Sequence, residues 1–128
     1  MKQFIASSAI LIFVLILVNS GCKKEDDCGC NSNAQFYLPK MAGELSYNQY
    51  KRKWMLSYSP GRGAYKYFFP CNTNQDSLKA ILQGASQTQS FVVWFSGNVK
   101  NTCPDEDFGP ATALTTFEYI TVDVVSRN

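Results

Sequence analysis

Five cysteines, no histidine and, apart from Glu25 to Asp27 near the start, one run of three acids are the features of this chain whose residue types bear on chemistry. Without imidazole, the Ser-His-Asp arrangement, the usual general base near neutral pH and the commonest metal ligand are all missing. Cys28 and Cys30 are split by a single residue, tighter than the C-x₂₋₄-C spacing of structural zinc, so no metal site is expected. Asp105-Glu106-Asp107 is the sole acidic cluster of the domain. Two carboxylates across a cleft could hydrolyse glycosides and three oxygen donors could hold Ca²⁺. Three adjacent acids beside Pro104 nevertheless read first as a solvated loop, and no serine has a partner that would activate it. The chain is therefore expected not to be an enzyme and to carry no cofactor.

Binding chemistry is better represented. Lys51, Arg52, Lys53, Trp54, Arg62, Tyr65, Lys66 and Tyr67 interleave cations with aromatic planes. Of these, Arg52, Trp54, Arg62, Tyr65 and Tyr67 are the candidate ligand-binding residues. The alternative is that Trp54 and one tyrosine row fill the core while the cations are the wet side of a hairpin.

The elements that must position these residues follow from periodicity and turn chemistry. Met41 to Tyr47 reads as a short first strand with a bend at Gly43. In Lys53 to Ser59, Trp54, Leu56 and Tyr58 share one face while Met55, Ser57 and Ser59 share the other, which is a strand. Pro60-Gly61-Arg62-Gly63 is a turn, and Ala64 to Phe69 completes a hairpin. Pro70 ends that strand, Thr73 is the expected cap of a helix with Leu78, Ile81 and Leu82 on one stripe, and Gly84 closes it. Ser90 to Phe95, continued past a bend at Gly97 through Val99, is the central strand. A loop from Asn101 to Ala113 precedes a last strand from Thr116 to Val125. Three strands, a helix and two strands in this length give a mainly β chain with an OB-like five-stranded barrel over residues 41–128.

The start of the chain fixes the compartment. Lys2, then an apolar run to Val18, then Asn19-Ser20-Gly21 before Cys22 form a secretory signal over residues 1–21 with small residues at the cut. The run from Phe4 to Val18 is fifteen residues, short of the roughly 20 that span a bilayer. A cysteine after such residues is the pattern of a bacterial lipoprotein, with Asn19 standing where that signature has Leu. Cys22 is then the lipidation site, and residues 22–40 a tether. Two or more acyl chains hold a protein to a bilayer nearly permanently.

With Cys22 lipidated, Cys28, Cys30, Cys71 and Cys103 remain as an even set in an oxidising compartment. Two arrangements stay open. Cys71 could pair with Cys103, closing a loop worth about 3 to 4 kcal/mol, or each could take one tail cysteine and pin the tether to the domain.

The run Lys23-Lys24-Glu25-Asp26-Asp27 after Cys22 resembles the lipoproteins of Bacteroidota, where acids after the lipidated cysteine act as a surface-export signal; an ordinary soluble linker is the other reading. Tyr67 to Asn72, Trp94 to Val99 and Tyr119 to Val122 are similar to a group of small Bacteroidota outer-membrane lipoproteins with an OB-like domain. That resemblance covers most of the chain after Cys22 and brings no activity with it. It implies an outer-membrane, lipid-anchored protein, cell-surface or periplasm-facing. Residues 31–128 hold nine Lys or Arg against seven Asp or Glu, a balance that disfavours nucleic acid. The expected work is binding a glycan or an envelope protein; the alternative is a structural or assembly component with no small ligand.

Overall fold

A computed structural model describes residues 27–128. The signal segment, Cys22 and Lys23 to Asp26 lie outside the described residues. Strands β1 (Phe36–Asn48), β2 (Lys53–Gly61) and β3 (Ala64–Pro70) come first. Helix α1 (Asp76–Leu82) follows, then β4 (Phe91–Lys100) and β5 (Thr115–Arg127). They close into a barrel in the order β1-β2-β3-β5-β4, with β3 and β5 parallel and the other pairs antiparallel. One short helix between the third and fourth strands completes the expected OB-like layout.

The alternation in each strand sends its apolar set inward. Leu45, Leu56, Phe68, Val93, Phe95, Val99 and Ile120 are fully buried, and Leu78 of α1 joins the same cluster. Ile81 and Leu82 pack beside it, so the helix stripe read from the sequence is the surface that seats α1.

Two boundaries differ from the sequence reading, each for a tertiary reason. Residues 36–40 belong to β1 and not to the tether, because Phe36 to Leu38 pair with Val99 to Gly97. Pro39 cannot donate to a ladder, and the register slips between Leu38 and Met41. The helix starts at Asp76 with Gln75 as its cap, not Thr73: the Gln75 side chain accepts from Leu78 N and donates to Asp123 O at 2.9 Å. Asn72 is already bonded in both directions to the backbone of Val122 on β5, which keeps the chain extended for longer.

The tail is held and not free. Cys28 bonds Cys103 and Cys30 bonds Cys71, which selects the arrangement that pins the tether. Gly29 between them has φ +79°, a value that a side chain rarely tolerates, and this turn sends the two sulfurs to different elements. Gly29 N donates to Asn101 O at 2.7 Å, Lys100 Nζ to Cys30 O at 2.6 Å and Gln35 N to Val99 O at 2.7 Å. From Cys28 onward the expected tether is therefore part of the domain.

Candidate functional site

On β2 and β3 the residues that alternate with Leu56 and Phe68 face outward: Met55 and Ser57 on one strand, Tyr65, Tyr67 and Phe69 on the other. Phe117 and Tyr119 of β5 lie beside them, since Tyr67 is paired with Phe117 and Phe69 with Tyr119. Beyond Lys100 the chain leaves the sheet for fourteen residues, and it drapes back over this outer face. Phe108 of that loop stacks on Phe117 at 5.1 Å, Phe117 on Tyr67 at 5.4 Å, and Tyr67 on Tyr65 at 6.2 Å. The result is a ladder of four nearly parallel rings outside the barrel, and Phe69 is buried beneath its loop end.

The loop is locked to the β1–β2 turn by the acids that the sequence reading placed on a solvated face. Glu106 accepts from the Tyr119 hydroxyl and from Cys103 N at 3.0 Å, and Lys51 Nζ lies 3.6 Å away while also standing 4.2 Å over the Phe108 ring. Asp107 accepts from the Tyr50 hydroxyl and from Gly109 N at 2.9 Å. Only Asp105 of the trio is left without such a role in the loop. Among the described residues no group of three or more His, Cys, Asp or Glu is arranged to hold a metal.

Between the turn and the loop lies an open groove of about 560 Å³. Met55, Tyr65, Tyr67 and Phe117 form its floor; Asn48, Gln49 and Tyr50 form one wall and Phe108 with Pro110 to Thr112 the other. No protein-family model matches the chain, and no curated protein matches it. The site therefore stands on geometry alone.

The five candidate residues do not converge. Tyr65 and Tyr67 line the groove. Trp54 faces inward, edge-on to Tyr47 at 5.5 Å and packed against the barrel core, because it shares the face of Leu56. With Arg52 it lines a separate hollow beside the Cys30–Cys71 bond. Arg62 sits at the tip of the β2–β3 turn, and Arg52 in the β1–β2 turn, so the length of β2, about 30 Å, separates them. Both arginines adopt positive φ, which serves the turns. Lys51, grouped by sequence with the ligand-binding cations, is consumed by Glu106 and Phe108.

Phe108, Phe117 and the Glu106 clamp were not found by sequence reasoning. A signal existed: Ala64 to Pro70 carries aromatics on both faces, and a strand that is apolar on both faces needs a second cover.

The clamp makes the loop pH-sensitive. Partial burial pushes the Glu106 carboxyl up, but the Tyr119 hydroxyl, Cys103 N–H and Lys51 outweigh it and hold Glu106 below its ordinary value. The Tyr50 hydroxyl first, then Gly109 N–H, holds Asp107 low as well. A depressed carboxyl contributes stability that is present above its unfolded value and lost as pH falls through the folded one. Burial pushes Glu118 the other way, with Lys66 partly opposing, so its contribution runs against the clamp, favouring the fold as pH falls. Burial and Glu106 push the Tyr119 phenol up to about 12, so it remains a donor throughout the neutral range. Protection of the Cys103 and Gly109 amides, taken relative to the intrinsic exchange rate at each pH, is therefore expected to be lost as pH falls through the lowered values of these carboxyls, while the core strands stay protected. In Tyr119→Phe, Cys103 should exchange faster already at neutral pH. Uniform exchange across loop and core in acid would contradict a local clamp.

Proposed function

We propose that this protein is a lipid-anchored binding module of the bacterial envelope. It takes its ligand, a glycan or a protein segment, in the groove on the outer face of β2 and β3. The observation that carries this reading is where the groove sits: in OB-like barrels that face, with the β1–β2 and β4–β5 loops, is where oligomeric ligands lie. Here the same face carries an aromatic floor whose flanking loops are clamped together, so the walls are formed in advance of binding and little ordering entropy opposes it. Two disulfides support an oxidising compartment, and the signal pattern ending at Cys22 supports the anchor and an outer-membrane location.

A second reading, a structural component of an envelope complex, has its own observation. Val92, Trp94 and Val124 are exposed on the β4–β5 side at 60%, 38% and 44%. Such apolar exposure on a sheet face is the mark of a protein contact.

Two substitutions separate the readings. Thr112→Arg, which projects into the groove from its rim, is expected to abolish retention of the protein by envelope polysaccharide or envelope protein fractions, with the melting temperature unchanged. Trp94→Asp should leave that retention intact. The reverse pattern transfers the function to the β4–β5 face. In cells, Cys22→Ala is expected to release the protein from the membrane fraction; a variant that still sediments with the envelope removes the anchor from this reading.

A further inference from the structure

The four-ring ladder has two unlike ends. At one, Lys51 caps Phe108. At the other, Tyr65 has Tyr67 on one side only and remains 48% exposed. Tyr65 also lines a second hollow of about 450 Å³ that extends from it across β2 and β1. The floor of this hollow is small and polar, with Gly43, Ser57 and Ser59 beneath, and Glu44 and Val92 at its border. The groove and this hollow thus share Tyr65.

We propose that the two hollows form one extended site for an uncharged oligosaccharide chain, with Tyr65 as the platform on which a sugar ring stacks and Glu44 as the acceptor for its hydroxyls. This rests on the groove being the binding site and adds the ligand class and a second subsite. Three observations choose the class. Neither hollow is lined by a lysine or arginine, so a polyanion has no counter-charge. The barrel is closed, so no free sheet edge is offered for a peptide to add to as a strand. What the surface does offer is an exposed phenol face, amide and hydroxyl side chains at Gln49, Thr112 and Ser57, and one carboxylate. The C–H face of a pyranose ring is apolar enough to lie on a phenol, while its rim of hydroxyls needs the acceptors and two-way donors that these groups supply.

Calorimetric titration of the whole, disulfide-bonded chain tests this with maltohexaose, cellohexaose, mannohexaose and xylohexaose, the matching monosaccharides, and polygalacturonate as a charged comparator. At least one neutral hexamer is expected to bind about tenfold or more tighter than its monosaccharide, and Tyr65→Ala to weaken it by about tenfold or more. Glu44→Gln and Val92→Arg, both on exposed positions of the second hollow, should weaken the hexamer and leave folding unchanged. If Thr112→Arg abolishes hexamer binding while Val92→Arg and Glu44→Gln do not alter it, the second subsite is overturned and the groove stands. If no neutral hexamer binds, or polygalacturonate binds better, the ligand class is overturned. Retention of envelope fractions that Thr112→Arg still abolishes would then keep the groove as the binding site. Equal affinity for monomer and hexamer overturns the extended site.

Discussion

Replacing Cys30 and Cys71 by serine is expected to lower the stability of the domain by about 4 kcal/mol, and replacing Cys28 and Cys103 by nearly the same amount. The second equality is not what the separations alone indicate, since the bonds enclose 41 and 75 residues. Cys28 and Cys30 are two positions apart, however, so with either bond in place the other closes a circuit of about 34 to 41 residues in the unfolded chain. Loop-closure entropy grows only with the logarithm of length, and the two costs converge. Losing both bonds should remove about 7 to 8 kcal/mol, which exceeds the whole stability of many domains of this size, and the chain should then fail to fold at body temperature. Denaturant titration of the two double-serine variants under non-oxidising conditions checks this. A difference between them larger than about 1.5 kcal/mol would mean that native-state contacts, and not chain entropy, dominate one of the bonds. The Cys28–Cys103 variant carries a second expectation. Cys103 is at the root of the loop that roofs the groove, so ligand retention should weaken there more than in the Cys30–Cys71 variant.

Gly43→Ala is expected to cost about 3 kcal/mol, a large effect for one methyl group. β1 is the strand that closes the barrel: Glu44 and Leu45 pair with Ser57 and Leu56 of β2 and also with Val92 and Phe91 of β4. To serve both neighbours β1 must coil sharply, and at Gly43 its backbone passes directly over β2. A Cβ there would run into the carbonyl of Ser57 and stand 2.7 Å from the Phe95 ring. Backbone cannot rotate away as a side-chain tip can, and Phe95 is fully buried in a core where close packing resists displacement of a ring. Ala42→Val, one residue away and pointing to solvent, is the matched control and should cost less than about 0.5 kcal/mol. Thermal melts of the two variants decide the matter, and similar midpoints would refute the close approach at Gly43.

Much of the architecture was legible before any coordinates. The alternation in Lys53 to Ser59 and the stripe Leu78, Ile81 and Leu82 are short-range patterns, and each found its element; of the turn residues, Arg62 and Gly63 make the turn while Pro60 and Gly61 extend β2. The order of elements then led to the closed barrel, because few topologies accept three strands, a helix and two strands. The ends of elements were read less well. Residues 36–40 contain Pro39 and follow the polar stretch from Asn31 to Gln35, and only pairing with β4 makes them strand. The candidate site was half legible: Tyr65 and Tyr67 were named, whereas Trp54, Arg52 and Arg62 were grouped with them by nearness in sequence. Nearness along a strand is a poor guide, since adjacent residues face opposite ways and ten residues span most of the barrel.

By itself, then, the sequence determined which residues share a face, where the chain turns, and that four cysteines remain to pair once Cys22 is set aside. Tertiary structure alone decided which cysteines meet, which aromatics are covered twice, and that Glu106 and Asp107 clamp a loop instead of facing water. The physical reason is range. Periodicity and turn chemistry act over a few residues, while the Cys28–Cys103 bond and the contact of Phe108 on Phe117 depend on where a fourteen-residue loop lands after the sheet has closed beneath it.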